Sequence, residues 1–203
     1  MATYGEIQDR INNDCLNRTD LTAETARTIK AAIRHYERQR FWFNESSTVL
    51  ATVSSQSHIA RPTAFFRIDE LRFFYDTSAS YALVNVDVST LDRMRAGAQT
   101  FGDPTHWAEN GELIELFPIP NAVDNVVARG YQQLDALSAT TDTNGWTSAA
   151  EDLVTYHAAK LMWATVLRSP ENANLYAQLE KSALDDLRQA NELRCLRGIR
   201  ARD

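Results

Sequence analysis

The amino-acid sequence predicts an α+β protein in which an antiparallel β region with a short helix is inserted into a helical bundle. Capped segments with helical periodicity lie near both ends of the chain, whereas the middle is rich in β-branched residues and contains an Asn-Gly pair between strand-like segments. We expect an N-terminal helical hairpin and two long C-terminal helices to form the bundle domain, residues 1–45 and 146–203. Residues 46–145 would form the antiparallel β insertion.

The N-terminal helical hairpin is predicted from two capping patterns. Thr3 and Glu6 have the spacing of a capping box, in which each side chain bonds the backbone N–H of the other residue. They would begin a short helix that ends near Asn17. We expect Thr22 to cap a second helix, because apolar residues recur at helical intervals from there to Trp42.

The β insertion is predicted from polarity and turn patterns. Residues 48–53 are rich in β-branched side chains. In residues 81–88 two sets of side chains alternate along the chain, as they do on the two faces of a strand. We expect Ser89 to cap a brief helix, residues 90–96. The Asn110-Gly111 pair predicts a hairpin with a type I′ turn, since that turn needs two residues that tolerate positive φ. Residues 123–134 predict a further strand.

Two patterns predict the C-terminal helices. Ser148 and Glu151 have the spacing of a second capping box and would begin the first of them. Ser169-Pro170 indicates that a new helix begins at Pro170, because proline is favoured at the first helical position, where its missing N–H costs nothing. We expect the final helix to run from Pro170 to about Arg197.

The composition is that of a globular protein with little attraction to membranes or nucleic acid. The 203 residues include 44% hydrophobic and 24% charged residues. No stretch approaches the roughly 20 consecutive apolar residues that span a bilayer, so we expect no membrane association. The net charge of -6 opposes nonspecific DNA binding, which depends on cationic groups that displace counterions from phosphates.

No pattern in the sequence predicts catalysis. Nucleophile-elbow, phosphate-loop, dinucleotide-binding and zinc-protease motifs are absent, and the four histidines are scattered over different predicted elements. The neighbouring carboxylates of Asp185-Asp186 point in different directions on a helix and cannot share a proton. Cys15 and Cys195 lack the spacing of a zinc site and are interpreted as reduced packing residues. We expect no enzyme activity, no cofactor and no metal site.

Arginine and aromatic residues mark two candidate interaction segments. Arg34, Arg38 and Arg40 lie close to Phe41-Trp42-Phe43, and both residue types are enriched in protein interfaces. The alternative is that these aromatic residues plug the junction between helix and sheet. The second segment is the arginine-rich C-terminus, which is either a helix end that compensates the helix dipole or an arm that orders on an acidic protein partner.

Four segments resemble the head-to-tail adaptor, or connector, proteins of podovirus-type tailed bacteriophages. They are residues 35–45 (HYERQRFWFNE), 102–108 (GDPTHWA), 116–120 (LFPIP) and 144–147 (NGWT). The order of helical hairpin, β insertion and C-terminal helices extends the resemblance over nearly the whole chain.

The resemblance implies a structural virion protein that is made in the cytoplasm of the host bacterium and needs no cofactor. Such adaptors form a homo-oligomeric ring, usually dodecameric, between the portal protein and tail or nozzle proteins, and DNA passes through the lumen without specific binding. Their C-terminal segment often reaches along the portal. We carry this partner-binding role onto Leu187, Arg194, Leu196, Arg197, Ile199, Arg200 and Arg202.

The sequence leaves two other functions open. One is another connector-layer protein, such as a stopper or tail-completion subunit, which a partner assay would distinguish from an adaptor. The other is a small non-phage binding module in which the β insertion serves as a ligand platform. An enzyme ranks behind both, because no catalytic constellation supports it.

Overall fold

The computed structural model describes residues 1–76, 79–97 and 100–200, and the side chains among them except those of residues 195–200. The chain divides into two compact units. The helical unit comprises Met1–Asn44 with Gln133–Asp203, and the β unit comprises Glu45–Gln132. Residues 133–145, predicted to belong to the insertion, cluster with the helical unit, and Glu45, predicted to belong to the bundle, clusters with the β unit. Whether each unit folds independently as a domain stays a prediction.

The described residues form six α-helices and eight strands. In chain order they are α1 (Tyr4–Asp9), α2 (Thr22–Tyr36), β1 (Glu45–Ala51), β2 (His58–Ala60), β3 (Phe65–Phe74), β4 (Ser80–Ala82), β5 (Val84–Asn85), α3 (Val88–Ala96), β6 (His106–Asn110), β7 (Leu113–Phe117), β8 (Asn125–Gln132), α4 (Gly145–Ser148), α5 (Glu151–Thr165) and α6 (Pro170–Arg200). A π-helical turn, Arg10–Cys15, continues α1, and a 3-10 turn, Trp42–Asn44, precedes β1.

The expectation of two long C-terminal helices is wrong, because only α6 is long. It has 31 residues, whereas α5 has 15, the same as α2. Ser148 is not a helix cap. Asn144 is the N-cap of the single-turn helix α4, and α5 starts after it at Glu151. At the other end, Arg168 adopts a left-handed φ of 52°, which stops α5 before Pro170 begins α6.

The predicted helix caps were correct at one end of the chain and wrong elsewhere. Thr3 and Glu6 form the predicted capping box. Thr22 instead donates its hydroxyl to the carbonyl of Thr19, and α2 has no side-chain cap. Ser148 donates to the carbonyl of Asn144, so it does not cap α5. Asp87, not Ser89, caps α3. Cap residues are common in turns as well, so a spacing alone does not distinguish the two.

The helical unit is built around one apolar core to which every helix of the unit contributes. Ile7 of α1, Ile29 of α2, Leu153 and Met162 of α5 and Leu187 of α6 are all buried in it. Contacts are most extensive between α5 and α6 and between α2 and α5. This core fixes α6 against the bundle up to Leu187. Within the residues described, none of the helices combines the length and the apolar character that crossing a bilayer requires.

The β unit contains two four-stranded sheets around a second apolar core. The strand orders are β1-β8-β3-β4 and β2-β7-β6-β5. Leu71, Phe73 and Val126 of the first sheet are buried in one cluster with Trp107 and Leu116 of the second. The sequence predicted antiparallel pairing throughout, and this is wrong for one pair, because β5 and β6 are parallel. Helix α3 connects them, and parallel neighbours need such a crossover.

The hairpin predicted at Asn110-Gly111 is confirmed, but its turn type is not. Asn110 pairs with Leu113, so the two central residues of the turn are Gly111 and Glu112. Only Gly111 has a positive φ, of 62°. That pattern belongs to a type II′ turn, in which glycine occupies the first central position.

A buried carboxylate joins three helices of the bundle. Glu180 on α6 accepts hydrogen bonds from the Tyr36 hydroxyl on α2 and from Lys160 Nζ on α5. It also accepts one from His157 on α5, whose Nδ1 is 2.7 Å away and donates in the tautomer that has its proton on Nδ1. Glu180 is 7% exposed and His157 is 5% exposed. A charge removed from water needs such partners, so these bonds set the register of the three helices.

The protonation states in this cluster follow from burial and from these bonds. Burial raises the pKa of Glu180, but the hydrogen bonds from Lys160, Tyr36 and His157 outweigh it and hold the pKa below its ordinary value. Burial lowers the pKa of His157, and the bond to Glu180 offsets only part of the change. Burial and the carboxylate both raise the pKa of Tyr36. Above pH 7 the cluster therefore contains an ionised Glu180 and a neutral His157.

Gly130→Ala should destabilise the β unit by about 1–3 kcal/mol, the usual cost of overpacking. A Cβ atom at Gly130 would lie 2.1 Å from the carbonyl oxygen of Arg67, a backbone atom of the adjacent strand β3. The control Gly97→Ala would meet no atom within 4 Å and should leave stability unchanged or slightly raised. Urea unfolding followed by near-UV circular dichroism measures both. Equal urea midpoints for the two variants would contradict the expected clash between a Cβ atom at Gly130 and the backbone of β3.

The free energy of unfolding of the helical unit should decrease as the pH falls from about 7.5 to 5. The pKa of His157 in the folded protein lies below the ordinary 6.5, so the unfolded chain takes up protons more readily in this range. The stability contributed by neutral His157 is therefore present above pH 6.5 and is lost as the pH falls towards the folded pKa. His157→Gln keeps an N–H donor for Glu180 but cannot titrate, so its decrease should be smaller.

Urea unfolding monitored at 222 nm over this pH series tests the expectation for His157. His106→Gln, in the β unit, leaves the Glu180 cluster intact and controls for the loss of a histidine. The same pH slope in wild type and His157→Gln would show that His157 does not set the decrease.

Candidate partner-binding surface

The residues predicted to bind a partner lie on the C-terminal half of α6, at and beyond its attachment to the bundle. Leu187 is 8% exposed in the helical core, so its side chain holds the helix in place. It is the last buried side chain of α6 among those described, and Glu192, Leu193 and Arg194 are exposed. The helix then continues through residues 188–200, a length of about 20 Å at the rise of an α-helix.

Arg194 is the predicted partner-binding arginine whose side chain is described. Its guanidinium carbon lies 4.5 Å from the centre of a Trp42 ring, a cation–π contact. The backbone of α6 continues through Leu196, Arg197, Ile199 and Arg200, but their side chains lie outside the described part of the chain, as does all of Arg202. Partner binding by these residues stays a prediction.

The outer side of α6 carries a line of exposed residues that we call the leucine strip. They recur every three or four positions on the side of the helix opposite Leu184, and are Glu171, Leu175, Leu179, Ser182 and Asp186. Leu175 is 52% exposed and Leu179 is 37% exposed. Apolar side chains in line on a solvent-facing helix contribute little to folding and mark a candidate docking surface.

A groove of about 490 Å³ lies beside the leucine strip, between α5 and α6. Its lining includes Trp42, Glu151, Asp152, Tyr156, Leu179 and Asp186. Arg10 forms ion pairs with Glu151 at 3.0 Å and with Asp152 at 2.7 Å. Burial lowers the pKa of Arg10, but these two carboxylates outweigh it and raise the pKa. The pairing offsets the negative charge on the α5 side of the groove.

The outer side of α2 carries four exposed cations that we call the cationic stripe. They are Arg27, Lys30, Arg34 and Arg38, with Arg38 just beyond the helix end. Arg27 pairs with Glu24 at 2.5 Å. The other three make no ion pair with any residue that the structure describes. The neighbouring Phe41 is buried in the helical core, where it and Phe43 pack on Trp146.

A smaller groove of about 230 Å³ adjoins the cationic stripe. Its apolar lining comprises Tyr4, Ile33, Leu134, Ala136, Leu137 and Trp146. Lys30 and Arg34 lie on it, together with Glu37 and Asp135. The carboxylate of Glu37 accepts a hydrogen bond from Gln133 at 3.4 Å. The groove therefore joins an apolar surface to two cations of the stripe and to two carboxylates.

The β unit has an exposed apolar surface of its own. Val49 is 63% exposed, Tyr75 is 57% exposed and Val123 is 69% exposed, and all three line a hollow of about 540 Å³. Asp76 and Asp124 also line it. This surface is a second candidate for binding, and no sequence pattern pointed to it, because residues on three separate segments of the unit combine to form it.

No pattern in the sequence predicts the Glu180 cluster. Tyr36, His157 and Glu180 lie on three different helices, so no spacing along the chain connects them. One signal was present: Glu180 falls on the side of α6 that also carries Leu184 and Leu187, an apolar stripe in which a carboxylate needs partners. Within the described residues, no group of three or more histidine, cysteine or carboxylate side chains is placed to hold a metal ion.

Comparisons with known proteins identify the family. A family model described as SU10 adaptor protein matches residues 2–201. A search of curated proteins finds no match. The family match covers nearly the whole chain and confirms the resemblance to phage head-to-tail adaptors that the sequence indicated. The chain therefore belongs to the SU10 adaptor protein family.

Proposed function

We propose that the protein forms a ring of identical copies between the portal and the tail or nozzle of a phage particle, and that DNA passes through the centre of this ring. The family match over residues 2–201 carries the proposal, since an adaptor is a structural virion component that contacts other virion proteins. A ring of twelve copies would match the usual symmetry of the adaptors that the sequence resembles.

The geometry of α6 supports a contact with the portal. The helix continues about 20 Å beyond Leu187, its last described anchor in the core. In the proposal, Leu187 and the Arg194–Trp42 contact hold the base of this extension. The residues beyond Arg194 then reach the portal, where their arginines pair with acidic side chains.

The charge of the protein is compatible with a channel wall. Nonspecific binding to duplex DNA is driven by cationic side chains that displace counterions from the phosphates, and a net charge of -6 opposes it. DNA that moves through a ring must not adhere to it, so we expect passage without specific contacts. Acidic proteins of many kinds share this property, and it therefore supports the proposal only together with the family match.

Full-length protein mixed with the cognate portal should assemble into rings that electron microscopy resolves on the portal. Truncation after Arg194 keeps the Trp42 contact and should weaken portal binding at least tenfold, as should Arg197→Glu with Arg200→Glu, without lowering the thermal midpoint. Arg67→Glu with Arg93→Glu reverses two exposed charges of the β unit and is the matched control.

The outcome separates the proposal from its alternatives. Absence of any complex between wild type and the portal would overturn the portal contact. Binding to purified tail components but not to the portal would indicate a stopper or tail-completion subunit instead. Portal binding that is unchanged in the truncated protein would show that the C-terminal half of α6 is not the docking element.

A further inference from the structure

The cationic stripe and the leucine strip are complementary in chemistry. The stripe presents positive charge beside an apolar groove, and the strip presents two leucines between two carboxylates, Glu171 and Asp186. Glu171 and Asp186 are 15 positions apart, about 22 Å along a helix, and Arg27 and Arg38 are 11 positions apart, about 16 Å, so the strip is long enough to cover the stripe.

Both surfaces are turned away from the core of the same unit. On α2 the buried residues Ile29, Ala32 and Tyr36 lie on the opposite side of the helix from the stripe. On α6 the strip lies opposite Leu184, which packs on the core, and its residues Leu179, Ser182 and Asp186 reach the edge of the groove between α5 and α6. Each folded copy thus presents the two surfaces at once and on different helices.

We propose that the leucine strip of one copy docks on the cationic stripe and its adjoining groove on the next copy. Leu175 and Leu179 would enter the groove lined by Ile33, Leu134 and Leu137. Glu171 and Asp186 of the strip would approach the cations of the stripe. The leucines supply buried area, and the opposite charges set the orientation of the two copies.

This inference rests on the proposed ring and names the contact that closes it. A ring needs a heterologous interface, in which each subunit offers two different and complementary surfaces. A second copy is favoured over a foreign partner because the chain itself provides both halves of the match. The basic half consists of cations that, Arg27 aside, have no ion pair within the described part of the chain, and new ion pairs with the strip would use them.

Two charge-reversed variants test the contact. Lys30→Glu with Arg34→Glu makes the stripe negative, and Glu171→Lys with Asp186→Lys makes the strip positive. All four side chains are on the surface, so both proteins should keep the wild-type circular dichroism spectrum. Glu171 lies in the first turn of α6 and Arg34 in the last turn of α2, so loss of their favourable interaction with the helix dipole should lower the thermal midpoint only slightly. Each variant alone repels its own copies, whereas in an equimolar mixture every negative surface can meet a positive one.

The readout is the number of copies bound to one portal, measured by mass photometry as protein is titrated. Wild type should fill the portal cooperatively. Each variant alone should bind in independent steps and reach full occupancy only at a concentration at least tenfold higher, while the equimolar mixture should regain cooperative filling. Arg67→Glu with Arg93→Glu, in the β unit, should behave as wild type.

Failure of this inference is distinguishable from failure of the proposed function. Cooperative filling by either variant alone, or a mixture that does not recover it, would overturn the strip-to-stripe contact while leaving portal binding intact. If wild type does not bind the portal, the proposed function fails. Sedimentation equilibrium of the two variants then still decides the contact, which requires that the mixture associate more strongly than either variant alone.

Discussion

Glu180 occupies a core-facing position of α6, and its charge is tolerated there because α2 and α5 supply hydrogen-bond donors. Loss of one donor would leave a buried carboxylate with too few partners, which costs more than a single bond normally contributes. The three helices are therefore fixed in rotation as well as in position. The stripe on α2 and the strip on α6 face outward because Tyr36 and Glu180 must meet inside.

The β unit is stabilised by different means and has its own core. Two sheets bury Trp107, Leu71 and their neighbours, and α3 is attached to one of the sheets by Arg95. The Arg95 guanidinium donates to the carbonyl oxygen of Leu116 and pairs with Glu115. Because the apolar clusters of the two units share no residue, a core substitution in one unit should act mainly on that unit.

Local chemistry in the sequence predicted the elements whose signals are local. The Thr3–Glu6 capping box, the hairpin at Gly111 and the start of α6 at Pro170 each depend on a few neighbouring residues. The family resemblance was also readable, because it rests on whole segments such as residues 102–108.

The sequence could not predict the features that depend on partners far along the chain. The parallel pairing of β5 with β6 follows from the path of α3. The Glu180 cluster combines three helices, and its donor Tyr36 lies 144 residues from it in sequence. The exposed strip and stripe likewise became visible only when the buried faces of α2 and α6 were known.

The decline in burial along α6 determines how this helix opens. Between Leu187 and Arg194 no described side chain is buried, so separation of that segment from the bundle loses the contact with Trp42 but removes no buried side chain of α6 from the core. Backbone amides beyond Leu187 should exchange with solvent through such local opening, whereas those near Glu180 require disruption of the whole bundle. A pulling force on the C-terminal end of α6 would therefore separate the segment beyond Leu187 first, before it disturbs the buried side chains of Leu187 and Glu180.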